Sequence, residues 1–97
     1  MEAGLVVIFR SRLRPDARAL HEQLMVEVEA ALPRNPGIVS HKTFVADDGE
    51  RVTIVELLDD ASLRQWAADP AHRAAKDRAD DLYEHFDVTV ATLTSEG

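Results

Sequence analysis

The spacing of apolar residues divides the chain into four strand-like stretches and two helix-like stretches. Residues 5–9 are apolar throughout, and shorter apolar or alternating runs recur later. These runs predict strands over 4–13, 38–46, 51–58 and 86–94. Apolar residues three and four apart predict a first helix that Pro15 and Asp16 open, and the same spacing returns between residues 63 and 86. The predicted order is therefore β-α-β-β-α-β.

The second helical region is predicted to break at Asp69-Pro70. Asp69 suits an N-cap, because its carboxylate can accept hydrogen bonds from the free N–H groups of a first turn. Pro70 suits the first helical position, where its missing N–H costs nothing. A long helix is thus predicted from Pro70, with His72 in its first turn. Tyr83 would follow a whole number of turns later on the same border of the apolar face, and Trp66 would lie in the short helix before the break.

Residues 47–50, Asp-Asp-Gly-Glu, predict a hairpin turn between the second and third strands. Gly49 can take the positive φ that such turns require. The loop length leaves the strand pairing uncertain by one residue, so Glu56 is predicted to face either His41 or Lys42. A cross-strand ion pair is the simplest role for these groups.

Composition narrows the classes of function. With 97 residues, one domain over 1–97 with a single core is expected. The 18 acidic and 11 basic residues give a net charge of −7, so neither nucleic acid nor an anionic membrane is an expected partner. The chain has no Cys, which excludes disulfides, thiolate catalysis and zinc–thiolate sites. The apolar run at 5–9 is too short for a signal peptide or membrane span, and a cytoplasmic location is expected.

The predicted strands carry more apolar surface than one layer of helices can cover. In an α+β, ferredoxin-like fold, both helices pack on one face of a four-stranded antiparallel sheet. The first, second and fourth predicted strands are nevertheless apolar on more than one face. Another copy of the chain is the simplest cover for the second face. We therefore expect a homodimer packed sheet to sheet.

Three polar-tipped rings are candidates for a small-molecule pocket. Trp66, His72 and Tyr83 are predicted to converge on the rim of the core, a composition suited to such a pocket. Alternatively, the Trp and Tyr are core residues and the His is solvated. The helix dipole disfavours a charged His72 while Asp69 favours it, and the sequence leaves that balance open. The histidines at positions 21, 41, 72 and 85 show no ligand spacing, so no metal is expected.

Three segments resemble the antibiotic biosynthesis monooxygenase family. They are PGIVSHKTF at 36–44, DGERVTIVE at 48–56, and Trp66 followed by PAHRAA at 70–75. The resemblance covers nearly the whole chain. It implies a ferredoxin-like protomer, a homodimer that forms an α+β barrel, and a pocket between helices and sheet in each protomer. Characterised members oxygenate electron-rich aromatic or polyketide substrates with dioxygen, without metal or flavin cofactors.

The chain departs from the family's catalytic pattern at its asparagine. Quinone-forming members and haem-degrading relatives use an Asn on a strand or strand end together with a Trp. Asn35, the only Asn here, is predicted in the turn after the first helix and matches neither. Trp66 matches the family's tryptophan, and His72 matches its helix-start histidine. The haem-ligating His would fall near Lys76, where this chain has none, so the resemblance disfavours haem degradation.

Two functions follow as hypotheses. The first is a cofactor-free oxygenase acting on a small aromatic or polyketide-like molecule, with His72 as the base. Tyr83 or Arg78 would stabilise the enolate or phenolate, although Arg78 also fits a solvated surface charge. The second is a non-catalytic dimeric module that binds a small molecule. In either case the candidates for lining the pocket are Trp66, His21 and His41.

Overall fold

Four antiparallel strands form one sheet in the computed structural model, which describes residues 4–94. The strands are β1 (Leu5–Leu13), β2 (Ile38–Val45), β3 (Arg51–Leu57) and β4 (Tyr83–Thr92), in the spatial order β2-β3-β1-β4. The helices are α1 (Arg18–Ala31), α2 (Asp60–Ala68), α3 (Pro70–Asp77) and α4 (Ala79–Leu82), and a 3₁₀ turn follows α1 at Leu32–Arg34. This arrangement confirms the predicted α+β, ferredoxin-like fold class.

Strand register decides which side chains face the helices. β1 pairs with β3 so that Val7 lies opposite Val55 and Phe9 lies opposite Thr53. Because side chains alternate between the two faces of a sheet, these residues share one face. Val55 is buried there against the helices, so we call this the helix side and the opposite surface the open side.

The core beneath the helices has two parts. The first contains the only Trp, Trp66, with buried aliphatic residues from α1 and β3: Val28, Ala31, Val55 and Leu57. The second contains the only Tyr, Tyr83, packed with Leu82 and Ala17, and Phe9 and Leu13 of β1 lie against it. Within residues 4–94, no helix is long and apolar enough to cross a membrane.

Two local predictions are confirmed by backbone geometry. The Asp69 carboxylate accepts a hydrogen bond from the Ala71 N–H at 2.9 Å, and Pro70 occupies the first turn of α3. Gly49 has a φ of 92°, which a residue with a Cβ rarely adopts, and its N–H donates to the Ala46 carbonyl at 2.9 Å. The helix break and the hairpin turn are thus both encoded by local chemistry.

Three boundary and register predictions are wrong. α1 begins at Arg18 rather than at Pro15, because the intervening residues form a turn in which the Ala17 N–H donates to the Arg14 carbonyl. β4 begins at Tyr83 rather than at Phe86. An irregularity in β2 between residues 38 and 40 places Ser40 opposite Glu56, so neither His41 nor Lys42 faces that carboxylate.

Candidate functional site

A stacked pair of rings lies where α2 gives way to α3. The Trp66 ring, 4% exposed, and the His72 ring have centroids 4.6 Å apart with their planes inclined by 33°. The capped break at Asp69 brings them together, because it ends α2 soon after Trp66 and starts α3 just before His72. The predicted proximity of Trp66 and His72 is therefore present.

Burial holds the His72 imidazole in its neutral form. Desolvation, followed by the charge of Lys76, lowers the pKa of His72 to about 4, and the opposing attraction of Asp69 is smaller. The sequence left open whether the helix dipole or Asp69 has the larger effect on the pKa of His72. In the structure, burial has a larger effect on that pKa than Asp69 does. Its Nδ1 atom is buried and has no hydrogen-bond partner among residues 4–94. A neutral ring with an unmatched nitrogen can exchange a hydrogen bond or a proton with a ligand.

His41 extends this cluster onto the sheet. Its ring lies edge-on to Trp66, with centroids 6.4 Å apart and planes at 80°. Register places His41 opposite Val55 on the helix side of β2. Burial lowers the pKa of His41, and the Glu29 carboxylate on α1 partly opposes that shift. The structure thus brings together Trp66, His72 and His41.

Tyr83 belongs to a second aromatic cluster, which corrects its predicted place beside His72. Its ring neighbours are Phe9 at 5.4 Å, Phe86 at 5.9 Å and His21 at 6.3 Å between centroids. The predicted long helix is interrupted, because α3 ends at Asp77 and the separate α4 ends at Leu82. The helical spacing that aligned Tyr83 with His72 therefore does not continue to Tyr83. The alternation of apolar and polar residues over 86–90 was the available signal that a strand was near.

Burial also sets the protonation of the second cluster. Desolvation raises the pKa of Tyr83, so its phenol stays protonated as a hydrogen-bond donor, and the positive charge of Arg51 partly offsets this shift. Desolvation and the same Arg51 charge both lower the pKa of His21. The charge of Arg51 thus acts on both rings.

The hairpin forms an open floor between the two clusters. His41, Thr43 and Val45 alternate along the helix side of β2, and Thr43 Oγ1 lies 2.8 Å from Thr53 Oγ1 across the hairpin. Val45 pairs with Arg51, so the floor runs about 13 Å from the His41 end to the Arg51 end at ~3.3 Å per residue. Thr43 is exposed, so α1 leaves this floor open.

α1 runs alongside this floor. The charge of its Glu29 acts on His41 at one end, and the charge of Arg51 acts on its His21 at the other. These two α1 residues are about 12 Å apart at 1.5 Å per residue, which matches the length of the floor. We call the helix-side surface along these residues the helix-side groove, defined by His41, Thr43, Thr53, Arg51 and His21.

Arg51 and the two threonines were not singled out from the sequence. Alternation along the predicted strands would have placed Thr43 on the same face as His41. Grouping Thr53 and Arg51 with them required the strand register, which the loop length alone did not determine.

Arg78 lies on the surface after α3. Its guanidinium Nε contacts the Asp81 carboxylate at 2.8 Å, and its side chain is 49% exposed. The geometry agrees with the alternative of a solvated surface charge.

The only asparagine is part of a buried polar network. Asn35 is 3% exposed, and its Nδ2 donates to the Asp69 carboxylate and to the Ala31 carbonyl, each at 3.0 Å. Arg34 donates to the same carboxylate through two nitrogens, at 3.0 and 3.3 Å. Burial alone would raise the pKa of Asp69, but these hydrogen bonds outweigh it and lower the pKa. Asn35 therefore ties the end of α1 to the start of α3.

Between residues 4 and 94, no group of three or more His, Cys, Asp or Glu side chains is arranged to hold a metal ion.

Solved structures share this fold. Rv0793 from Mycobacterium tuberculosis superposes with a TM-score of 0.85 at 23% identity, covering 97% of this chain and 98% of that one. A structure described as an antibiotic biosynthesis monooxygenase gives 0.77 at 22% identity, covering 96% and 99%. SnoaB from Streptomyces nogalater, a cofactor-independent oxygenase solved as an asparagine-to-alanine mutant, gives 0.79 at 19% identity, covering 97% and 96%.

Sequence comparisons give no further relative. No protein-family model matches the chain, and no curated protein matches it. The solved structures confirm the resemblance to the antibiotic biosynthesis monooxygenase family at the level of the fold.

Proposed function

We propose that this protein binds a small aromatic or polyketide-like molecule in the helix-side groove and oxygenates it with dioxygen. The observation that carries the proposal is the buried, unpartnered Nδ1 of His72, on a ring stacked against Trp66 at one end of an open floor. The fold shared with a cofactor-independent oxygenase supports the same chemistry. Neither a metal nor an organic cofactor has a part in the proposed reaction.

The proposed reaction begins with a proton transfer. His72 takes a proton from an acidic carbon or phenol of the substrate, and the resulting anion gives one electron to dioxygen. The substrate radical and superoxide combine into a peroxide anion, which takes the proton back from the His72 imidazolium. The resulting hydroperoxide loses water to leave a carbonyl. A methylene carbon thereby loses two hydrogens and gains one oxygen atom, and the second oxygen atom leaves as water. The substrate supplies all the electrons, so no external reductant is needed.

The groove would stabilise the anion at its other end. Tyr83 keeps its proton and can donate a hydrogen bond to a developing oxyanion, and the adjacent Arg51 supplies positive charge. In this proposal Arg51 takes the part that the sequence suggested for Arg78. His21 and His41 would border the bound ring, and Trp66 would support His72 from behind.

A second candidate, a binding module without catalysis, is favoured by the low pKa of His72. A base with a pKa of about 4 is a poor match for a proton removed at neutral pH. Catalysis therefore requires that the bound substrate anion raise the pKa of His72 by pairing with its imidazolium. If binding does not do so, the groove holds a ligand without turning it over.

Oxygen uptake separates the two candidates. With a panel of anthrones and dihydroxynaphthalenes, and with a metal chelator present, the oxygenase predicts substrate-dependent uptake by the purified protein. His72→Gln is expected to lower the rate by about tenfold or more, because the proton acceptor is lost. Trp66→Phe is expected to lower the rate by less, because the smaller benzene ring still packs against the imidazole but supports it less well.

The matched control is Arg73→Gln, which changes an exposed neighbour of His72 on the same helix and should leave the rate unchanged. Uptake that persists in His72→Gln would refute the role of His72. A melting temperature raised by a panel member, with no uptake by the wild-type protein, would establish the binding module instead.

We further propose that the open side of the sheet forms a homodimer interface. Register places an apolar stripe there: Val6 and Ile8 of β1, and Val52 and Ile54 of β3. Phe44, on the same face of β2, is 54% exposed. A second copy of the stripe would cover this surface by two-fold symmetry, as the sequence led us to expect.

Ile54→Asp is expected to convert the dimer to monomers, because it would bury a carboxylate against apolar residues. Analytical ultracentrifugation at several protein concentrations measures the change. Val26→Asp provides the control, since Val26 is 65% exposed on α1, away from the open side, and that variant should remain dimeric. A wild-type monomer at all concentrations, or a dimer that Ile54→Asp leaves intact, would contradict this interface.

A further inference from the structure

A cavity lies at the end of the sheet, next to the helix-side groove. It has a volume of about 330 Å³, at the lower end of the range for small-molecule sites. Four arginines line it: Arg12 near the end of β1, Arg14 in the following turn, Arg18 at the start of α1 and Arg51 at the start of β3. This concentration of positive charge stands out in a chain whose net charge is −7.

Two of these arginines are held by contacts with residues outside the cavity lining. Arg12 donates to the Asp48 carbonyl at 2.7 Å and pairs with the Asp48 carboxylate at 3.3 Å. Arg14 donates through Nε to the Asp80 carbonyl at 2.9 Å, which leaves its two terminal nitrogens for another acceptor. Fixed guanidinium groups lose little freedom when a ligand binds.

The other two arginines, Arg18 and Arg51, make no side-chain hydrogen bond or ion pair within residues 4–94. Glu84, the one carboxylate lining the cavity, pairs with none of the four arginines in that span. The start of α1 adds to the positive potential, since its first turn has no acidic residue and no side chain caps it. The cavity thus combines unneutralised cations with fixed donors.

Apolar side chains complete the walls. Leu13 and Val45 line the same cavity as the arginines. A bare inorganic anion would leave these surfaces unfilled, whereas an organic acid would place its carboxylate on the arginines and its carbon skeleton against Leu13 and Val45.

We propose that this cavity binds the carboxylate group of a small organic acid. Arg51 and Arg18 supply the principal ion pairs, and Arg12 and Arg14 orient the carboxylate through their remaining donors. Arg51 borders both this cavity and the helix-side groove, so the ligand would lie next to the groove. Binding of the carboxylate would not require the reaction proposed for the groove. The proposal concerns binding alone and does not depend on the proposed oxygenase activity.

The experiment titrates isotope-labelled protein in low-salt buffer with sodium benzoate and separately with benzamide, its neutral counterpart. Benzoate should shift the amide resonances of residues 12–18 and 45–51, and benzamide should bind about tenfold more weakly or worse. Arg51→Gln and Arg18→Gln should each weaken benzoate binding by about tenfold. Arg64→Gln, which removes the same charge from a pair with Asp60 on α2, should leave it unchanged.

Other outcomes would overturn the proposal. Equal binding of benzoate and benzamide, or no binding of either, would exclude a carboxylate site. An equal loss in Arg64→Gln would mean that net charge alone governs the titration. Inorganic phosphate binding as tightly as benzoate would identify a simple oxyanion site instead. If Arg51→Gln does not fold, Arg18→Gln still decides the outcome, because Arg18 is an exposed residue.

Discussion

Replacing Trp66 by Ala is expected to lower the free energy of unfolding by about 3–5 kcal/mol. The ring is 4% exposed and packs with Val28, Val55 and Leu57, so its removal leaves a cavity that the surrounding side chains fill only in part. The loss is a large fraction of the stability of a typical domain. Urea denaturation followed by circular dichroism measures it, because the variant has no tryptophan to report by fluorescence.

Two further variants make this test specific. Trp66→Phe should lose less than half as much, since an aromatic ring remains against His72. Gln65→Ala, at an exposed neighbouring position on α2, should stay within about 0.5 kcal/mol of the wild type. All three proteins should be compared at one concentration, because the proposed dimer would make stability depend on it. A Trp66→Ala loss below about 1 kcal/mol would contradict the packing described for this ring.

The free energy of unfolding is expected to fall by about 2 kcal/mol more in the wild type than in His72→Gln between pH 7 and pH 4. Burial lowers the pKa of His72 to about 4, whereas an unfolded histidine titrates near 6.5. Between these values the unfolded chain binds a proton that the folded protein does not. The lowered pKa of His72 therefore costs no stability above pH 6.5. It reduces the free energy of unfolding progressively as the pH falls toward 4.

The comparison with His72→Gln isolates this contribution from other titrations. Burial also lowers the pKa of His21, which remains in the variant, so its effect cancels in the difference. His41 remains too, but its charge acts on His72, so that coupling is part of the measured difference. Denaturation curves at a series of pH values give the two profiles. Parallel profiles from pH 7 to pH 4 would mean that His72 is charged in the folded protein and is not buried as described.

The parts of the fold that local chemistry controls were predictable from the sequence. Asp69 followed by Pro70 ends one helix and starts the next, and it thereby sets Trp66 against His72. Gly49 supplies the positive φ of the hairpin turn. Apolar periodicity gave the order of the elements, because helices and strands bury their apolar faces at different spacings.

The misplaced features depend on contacts between distant parts of the chain. Helical spacing assigned Tyr83 to the His72 side, but pairing with β1 draws it into β4, where it meets Phe9. The position of Glu56 depends on an irregularity in β2 that no turn motif signals. Asn35 and Asp69 are 34 residues apart, and their hydrogen bond forms only once α1 and α3 pack together.

The most direct test of the helix-side groove is to locate a bound aromatic ligand by nuclear magnetic resonance. Isotope-labelled protein is titrated with dithranol, a dihydroxyanthrone, in the absence of oxygen so that no turnover occurs. We expect the largest shifts on His41, Thr43, Thr53 and the His72 imidazole, with smaller shifts on the open-side residues Val52 and Ile54. Shifts confined to the open side, or to residues outside both faces of the hairpin, would contradict the groove as the ligand site.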